Sequence, residues 1–135
     1  MIKKHNISYL LVVSLAAAFL HPILFFIIEL LQTIISNKSV SLMWEGYINY
    51  LPLVLLSIVA FVSLTFLSGI CLVLIHLVIR FYKLTEFWYK LLLILPFYII
   101  LFLINDFLFE SDYEYHYFSM CLAYTFTVFY FHPKR

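Results

Sequence analysis

Two residues in the first apolar stretch of this chain, His21 and Glu29, have the chemistry to hold or move a proton. Glu29 is the one acid inside an apolar run away from a loop. An ionisable group within a membrane span is costly enough to mark a functional position. His21 comes about two helical turns earlier, so the two side chains project from roughly one face of a helix. Pro22 follows at once. Its ring removes a backbone donor and leaves the carbonyl near residue 18 without its helical partner, which invites a kink. A histidine and a glutamate on one face make half of a proton or metal site. The alternative is a kink whose freed backbone groups are satisfied by His21 or by a neighbouring helix. Depth matters too. If the helix enters the bilayer near Asn6, Glu29 lies roughly 34 Å along it, among the outer headgroups, where a carboxylate can reach water.

The other reactive side chains are scattered. His76 and Arg80 stand one turn apart, where cations suit a helix C-terminus. His5, His116 and His132 fall near membrane interfaces. No two histidines have i, i+3 or i, i+4 spacing, and there is no HExxH and no Cys/His pair with ligand spacing. A metal site would need ligands converging from different helices, so no metal and no cofactor is expected. Cys71 and Cys121 lie within apolar stretches, roughly 14 and 16 Å from the cytoplasmic edge. They could meet if the second and fourth spans packed together. The expected role is that of free thiols filling apolar space. Asp106, Glu110, Asp112 and Glu114 cluster without a cation. Such a loop either concentrates divalent cations or a basic peptide, or is simply solvated. No catalytic constellation emerges, and an enzyme is not expected.

These residues must be positioned by helices in lipid. The chain has 135 residues, 66 % hydrophobic and only 11 % charged, with a mean hydropathy of +1.07. Soluble domains carry roughly a quarter charged residues. A particle with so little polar surface must be covered by lipid. Spanning helices need about 20 apolar residues, and four runs answer to that. The first goes from Ile7 to Ile35. The second goes from about Ile48 to Ile79, after the polar loop Ser36-Asn37-Lys38-Ser39. A basic stretch from Arg80 to Lys90 leads to the third, from about Leu91 to Ile104 and on to Phe109. The fourth, from about Tyr115 to Phe131, is the shortest, with tyrosines suited to the headgroup belts. Ser57, Ala60, Thr65, Ser68 and Gly69 fall within about half the circumference of the second span. Small residues let helices approach closely in lipid, so this face is expected to pack the most central helix.

Orientation follows from the cations. Lys3 and Lys4 precede the first span, Arg80, Lys83 and Lys90 separate the second and third, and Lys134 and Arg135 follow the fourth. Only Lys38 lies on the other side. The positive-inside rule then puts both termini and the middle loop in the cytoplasm. Lys3-Lys4, the apolar Ile7 to Leu15 and Ala16-Ala17-Ala18 also look like a signal peptide with its cleavage site. The apolar run continues through Ile28, however, and an uncleaved first span is expected. The fold class expected is therefore all-α: a single domain over 1–135, an integral membrane bundle of four transmembrane helices with both termini inside. Nothing in the charge pattern suits nucleic acid.

The basic start into Ser8-Tyr9-Leu10-Leu11, His21-Pro22 in the first span and Pro96-Phe97-Tyr98 at the entry to the third resemble an uncharacterised family of small four-span membrane proteins of Bacillus-type bacteria and their prophages. The resemblance implies a location and no mechanism. A single glutamate in the first span is also similar to the small multidrug-resistance exporters, but the one-sided charge bias and the lack of a glycine-rich face depart from them. Two functions are expected to compete. One is a non-enzymatic interaction, accessory or immunity-type protein of the cell membrane, whose partners are the bilayer and another membrane protein or a second copy. The other is a small proton-linked transporter using Glu29 and His21.

Overall fold

The computed structural model of the chain describes residues 4–108 and 114–132. Lys3, Glu110, Asp112, Lys134 and Arg135 lie outside the described residues, as do the side chains of Ser57, Thr65, Ser68, Gly69 and Glu114. Four helices account for nearly all the rest: α1 Lys4–Ile35, α2 Val40–Tyr82, α3 Glu86–Leu108 and α4 Glu114–Tyr130. There is no strand among the described residues. The segments Ile7–Ile35, Val40–Ser63 and Glu86–Ile104 are long and apolar enough to cross a membrane. At 17 residues, α4 is shorter, about 26 Å long.

The turns form where local chemistry permits them. Asn37 takes a left-handed conformation, φ 50°, which asparagine tolerates better than most residues. This lets the N–H of Lys38 reach back to Thr33 O at 3.1 Å and close the end of α1. Lys83 does the same after α2, with φ 49° and its own N–H on Ile79 O. The N–H of Tyr89 then bonds Thr85 O at 3.2 Å as α3 begins. The polar loop Ser36 to Ser39 is thus a turn, as its composition suggests.

Helix boundaries depart from the apolar runs. α2 begins at Val40, ahead of Ile48, and ends at Tyr82, while α3 already begins at Glu86. The basic stretch Arg80 to Lys90 is therefore almost all helix, interrupted only at Lys83–Thr85. Charged residues mark where a helix leaves lipid, not where it stops, and no glycine or proline stands in that stretch to break it. Pro96 likewise sits inside α3 rather than at its entry, and Pro22 and Pro52 lie inside α1 and α2. α2 runs for 43 residues, about 64 Å, roughly twice the thickness of a hydrocarbon core.

The helices pack in a ring, α1 against α2 and α4, α3 against α2 and α4, with neighbours antiparallel. Tyr9 near the start of α1 donates to Val128 O near the end of α4, whereas His21 further along α1 meets Ser119 nearer the start of α4. α3 and α4 are paired the same way, through Lys90 with Phe129 and Phe102 with Tyr117. A dry layer crosses the middle. The Phe97 and Tyr124 rings stack with centroids 3.9 Å apart, and Phe61 leans on Phe97 at 5.3 Å.

The most extensive helix contact is α1 with α4. Ser14, Ala17 and Ala18 are buried on α1, and Ser119, Ala123 and Thr127 on α4. Small side chains at one-turn intervals remove the bulk that would hold two helices apart, so dispersion contacts accumulate along the whole seam. The hydroxyls fit because each bonds its own helix: Ser14 Oγ donates to Leu10 O at 2.6 Å, and Thr127 Oγ1 to Ala123 O at 3.0 Å. Most of the expected small-residue face of α2, namely Ser57, Thr65, Ser68 and Gly69, lies outside the residues whose side chains are described. Ala60, the member of that set whose side chain is described, is exposed, and the seam is formed by the first and last helices. A sequence pattern on one helix shows which face is small, but not which partner meets it.

Overpacking this seam is expected to cost about 1–3 kcal/mol. Ala123→Leu should therefore lower the unfolding midpoint of the detergent-solubilised protein, while Ala60→Leu on the outer side of α2 should leave it unchanged. Thermal melts of the two variants check this.

Candidate polar site between α1 and α4

His21 is 0 % exposed, the most deeply buried of the polar side chains that the sequence singles out. An imidazole taken out of water must find partners inside the protein. Its Nδ1 lies 2.8 Å from Ser119 Oγ and its Nε2 lies 3.4 Å from His116 Nδ1. Ser119 Oγ also donates to the carbonyl of His116 at 2.9 Å.

One arrangement of hydrogens satisfies all three bonds. The His116 carbonyl can only accept, so it takes the single hydroxyl hydrogen of Ser119. Ser119 Oγ must then accept from His21 Nδ1–H. That leaves His21 Nε2 with a lone pair, which accepts from His116 Nδ1–H. The ring of donors closes on the backbone of the residue that begins it, and neither imidazole needs a charge. Aromatic rings wall the cluster: Phe25 stacks on His116 at 4.1 Å, and Phe61 lies over His21 at 6.4 Å. Tyr47 of α2 donates to the carbonyl of Pro22 itself at 3.3 Å, a different group from the carbonyl near residue 18 that the proline ring leaves without its helical partner.

Glu29 stands apart from this cluster. It is half-buried, and because α1 is continuous it sits about 12 Å beyond His21 along the axis. The hydrogen bond that forms at this position runs from Thr33 Oγ1 to the Glu29 backbone carbonyl, 2.8 Å. The structure brings His21 to α4, not to Glu29. His116, read from the sequence as a histidine near an interface, and Ser119 are the residues that the structure brings to His21. Their i, i+3 spacing puts both on one face of α4, a signal open to reading, but nothing in the sequence says that His21 meets that face.

A second polar cluster ties the start of α3 to the end of α4. Lys90, read from the sequence as a cation between spans, is only 4 % exposed. Its Nζ donates to Phe129 O at 3.1 Å, lies 3.0 Å from His132 Nδ1 and 3.7 Å from Glu86 Oε1. The last carbonyls of a helix lack internal partners, so a cation there is doubly favoured. Its long stem packs in apolar surroundings while the ammonium reaches the helix end. Elsewhere, Tyr98 Oη bonds Cys121 O at 3.1 Å and pairs with Thr125 Oγ1. Cys121 is buried and Cys71 half-buried, both as free thiols, on helices that face each other across the ring. His76 packs over the Tyr89 ring at 5.7 Å. Among the described residues no group of three or more His, Cys, Asp or Glu stands close enough to hold a metal ion.

No family model matches this chain, and neither a curated protein nor a solved structure matches it.

The unequal environments of the two candidate residues have a measurable consequence. His21→Ala removes a buried partner and opens a cavity, and is expected to destabilise the protein by about 2–4 kcal/mol. Glu29→Gln is expected to stay within about 0.5 kcal/mol of the parent chain. Denaturation in mixed micelles of the two variants measures both.

Proposed function

We propose that this chain is a multi-pass protein of the cell membrane that crosses the bilayer four times with both termini in the cytoplasm. In this reading it acts by interaction and not by catalysis, as an accessory or immunity-type partner of another membrane protein or of a second copy. The one-sided distribution of lysine and arginine supports the orientation. Antiparallel packing of successive helices supports an up-down-up-down crossing. α4, about 26 Å long, comes near the hydrocarbon thickness of about 30 Å, and Tyr130 beyond its buried part is exposed where a headgroup belt would lie.

The observation that carries the interaction reading is the stacked layer of Phe61, Phe97 and Tyr124. Each is almost wholly buried, and together they stand between the His21 cluster and the Lys90 cluster. A proton path through the bundle would have to connect these two clusters across two phenylalanine rings and one buried tyrosine. The polar side chains of the first cluster are already committed to one another, an arrangement that joins helices. The burial of His21 beside His116 is what favours the competing reading, a small proton-linked transporter that uses His21 and Glu29. An acid about 12 Å from the histidine makes that pairing indirect.

Reporter fusions after Lys38 should report the outside and fusions after Lys83 and Arg135 the inside; an external C-terminus would overturn the orientation. In sealed vesicles the parent chain and Glu29→Gln should show the same proton permeability. Proton-dependent uptake or efflux that is lost in Glu29→Gln would replace the interaction reading with the transporter.

A further inference from the structure

The cluster of Glu86, Lys90 and His132 contains a conflict that a single proton resolves. His132 Nδ1 lies 2.8 Å from Glu86 Oε1 and 3.0 Å from Lys90 Nζ. An imidazole nitrogen offers one site in the ring plane, either a hydrogen or a lone pair. With a lone pair on Nδ1, the Lys90 ammonium donates to it, and the Glu86 oxygen meets a second lone pair. With a hydrogen on Nδ1, Glu86 accepts it, and Lys90 faces an N–H. The two contacts at full strength are mutually exclusive.

The surroundings make the conflict consequential. Lys90 is held by the Phe129 carbonyl in the last turn of α4 and by Glu86 one turn back on α3, so it cannot leave without exposing a buried ammonium. Its Nζ also lies 5.6 Å from the Phe129 ring centroid. His132 is the exposed partner: its side chain is 71 % exposed, against 37 % for Glu86 and 5 % for Lys90, and it follows the end of α4. Other titratable groups near this end are Tyr9 of α1, buried against Tyr89 of α3, and His76 of α2, packed over Tyr89.

We propose that Glu86, Lys90 and His132 form a proton-operated clasp that fixes the chain leaving α4 to the first turns of α3. With His132 neutral the clasp runs through Lys90. With His132 protonated it runs through Glu86, and Lys90 turns wholly to the Phe129 carbonyl and Glu86. The proton comes from the aqueous phase at the exposed ring and returns to it. The two states differ in which α3 side chain holds the ring, so His132 changes its seat on α3 as protons bind. The clasp stands on this geometry alone, independent of the interaction reading and of membrane orientation.

The test is the nitrogen-15 NMR titration of the His132 ring in the full-length protein in lipid nanodiscs. Glu86→Gln removes the negative charge that favours the protonated ring while keeping an oxygen acceptor, and should lower the titration midpoint by at least about half a pH unit. Lys90→Met removes the donor to the neutral state, together with a neighbouring positive charge, and should raise it by a similar amount. Because Lys90 is buried, Lys90→Met can disturb folding; Glu86→Gln and the parent spectrum then decide the matter. In the parent chain the neutral ring should carry its hydrogen on Nε2. A ring that stays protonated on Nδ1 above its midpoint, or a midpoint unmoved by Glu86→Gln, overturns the clasp.

Discussion

Burying His21 commits the protein to a particular pairing of helices. A fully buried imidazole has no water to bond, so the residue is tolerable only where partners are supplied from within the chain. Those partners, Ser119 and His116, lie at the other end of the sequence. The first helix and the last must therefore meet, and meet in one register. A slip by one residue along α4 would turn Ser119 by about 100° away from His21. The small residues on the side of this contact toward the start of α1 and the end of α4 then let the two backbones close, and α3 and α2 complete the ring around them. Apolar packing in lipid is weakly specific, because lipid tails compete for the same contacts. The hydrogen bonds at His21 provide what packing alone does not.

How much of this was open to reading in the residues differs by level. Hydropathy locates the apolar segments, and Ser36-Asn37-Lys38-Ser39 marks a turn because Asn37 accepts a left-handed backbone. The helices α2 and α3 extend beyond their apolar runs, since charge signals an interface and not a helix stop. Arg80 stays in the last turn of α2, and Lys90 belongs to α3. The partner of His21 was not legible. Periodicity along α1 pairs it with Glu29, whereas the contact that forms spans nearly the whole sequence and depends on which helices become neighbours. For the same reason the one-turn spacing of Ser119, Ala123 and Thr127 does not by itself say that this face of α4 meets α1. Lys90 was misread because a lysine near an interface usually reaches water, and only the nearby end of α4 gives it a reason to stay inside.

Two polar clusters at opposite ends of the bundle, separated by Phe61, Phe97 and Tyr124, divide the labour of the chain. The His21 cluster is enclosed and joins helices. The Lys90 cluster is partly open through His132 and can exchange protons with water. Around them the outward faces are apolar along most of the length of α2, a surface for lipid or for another helix.

A double-mutant cycle between His21 and Ser119 tests the central claim most directly. Stabilities of the parent, His21→Phe, Ser119→Ala and the double variant would be measured in the same micelles. If the hydrogen bond between the two side chains sets the register of α1 on α4, the single losses should not add, and the coupling should reach about 1 kcal/mol or more. Additivity within about 0.3 kcal/mol would contradict the account and leave apolar packing to choose the pairing alone.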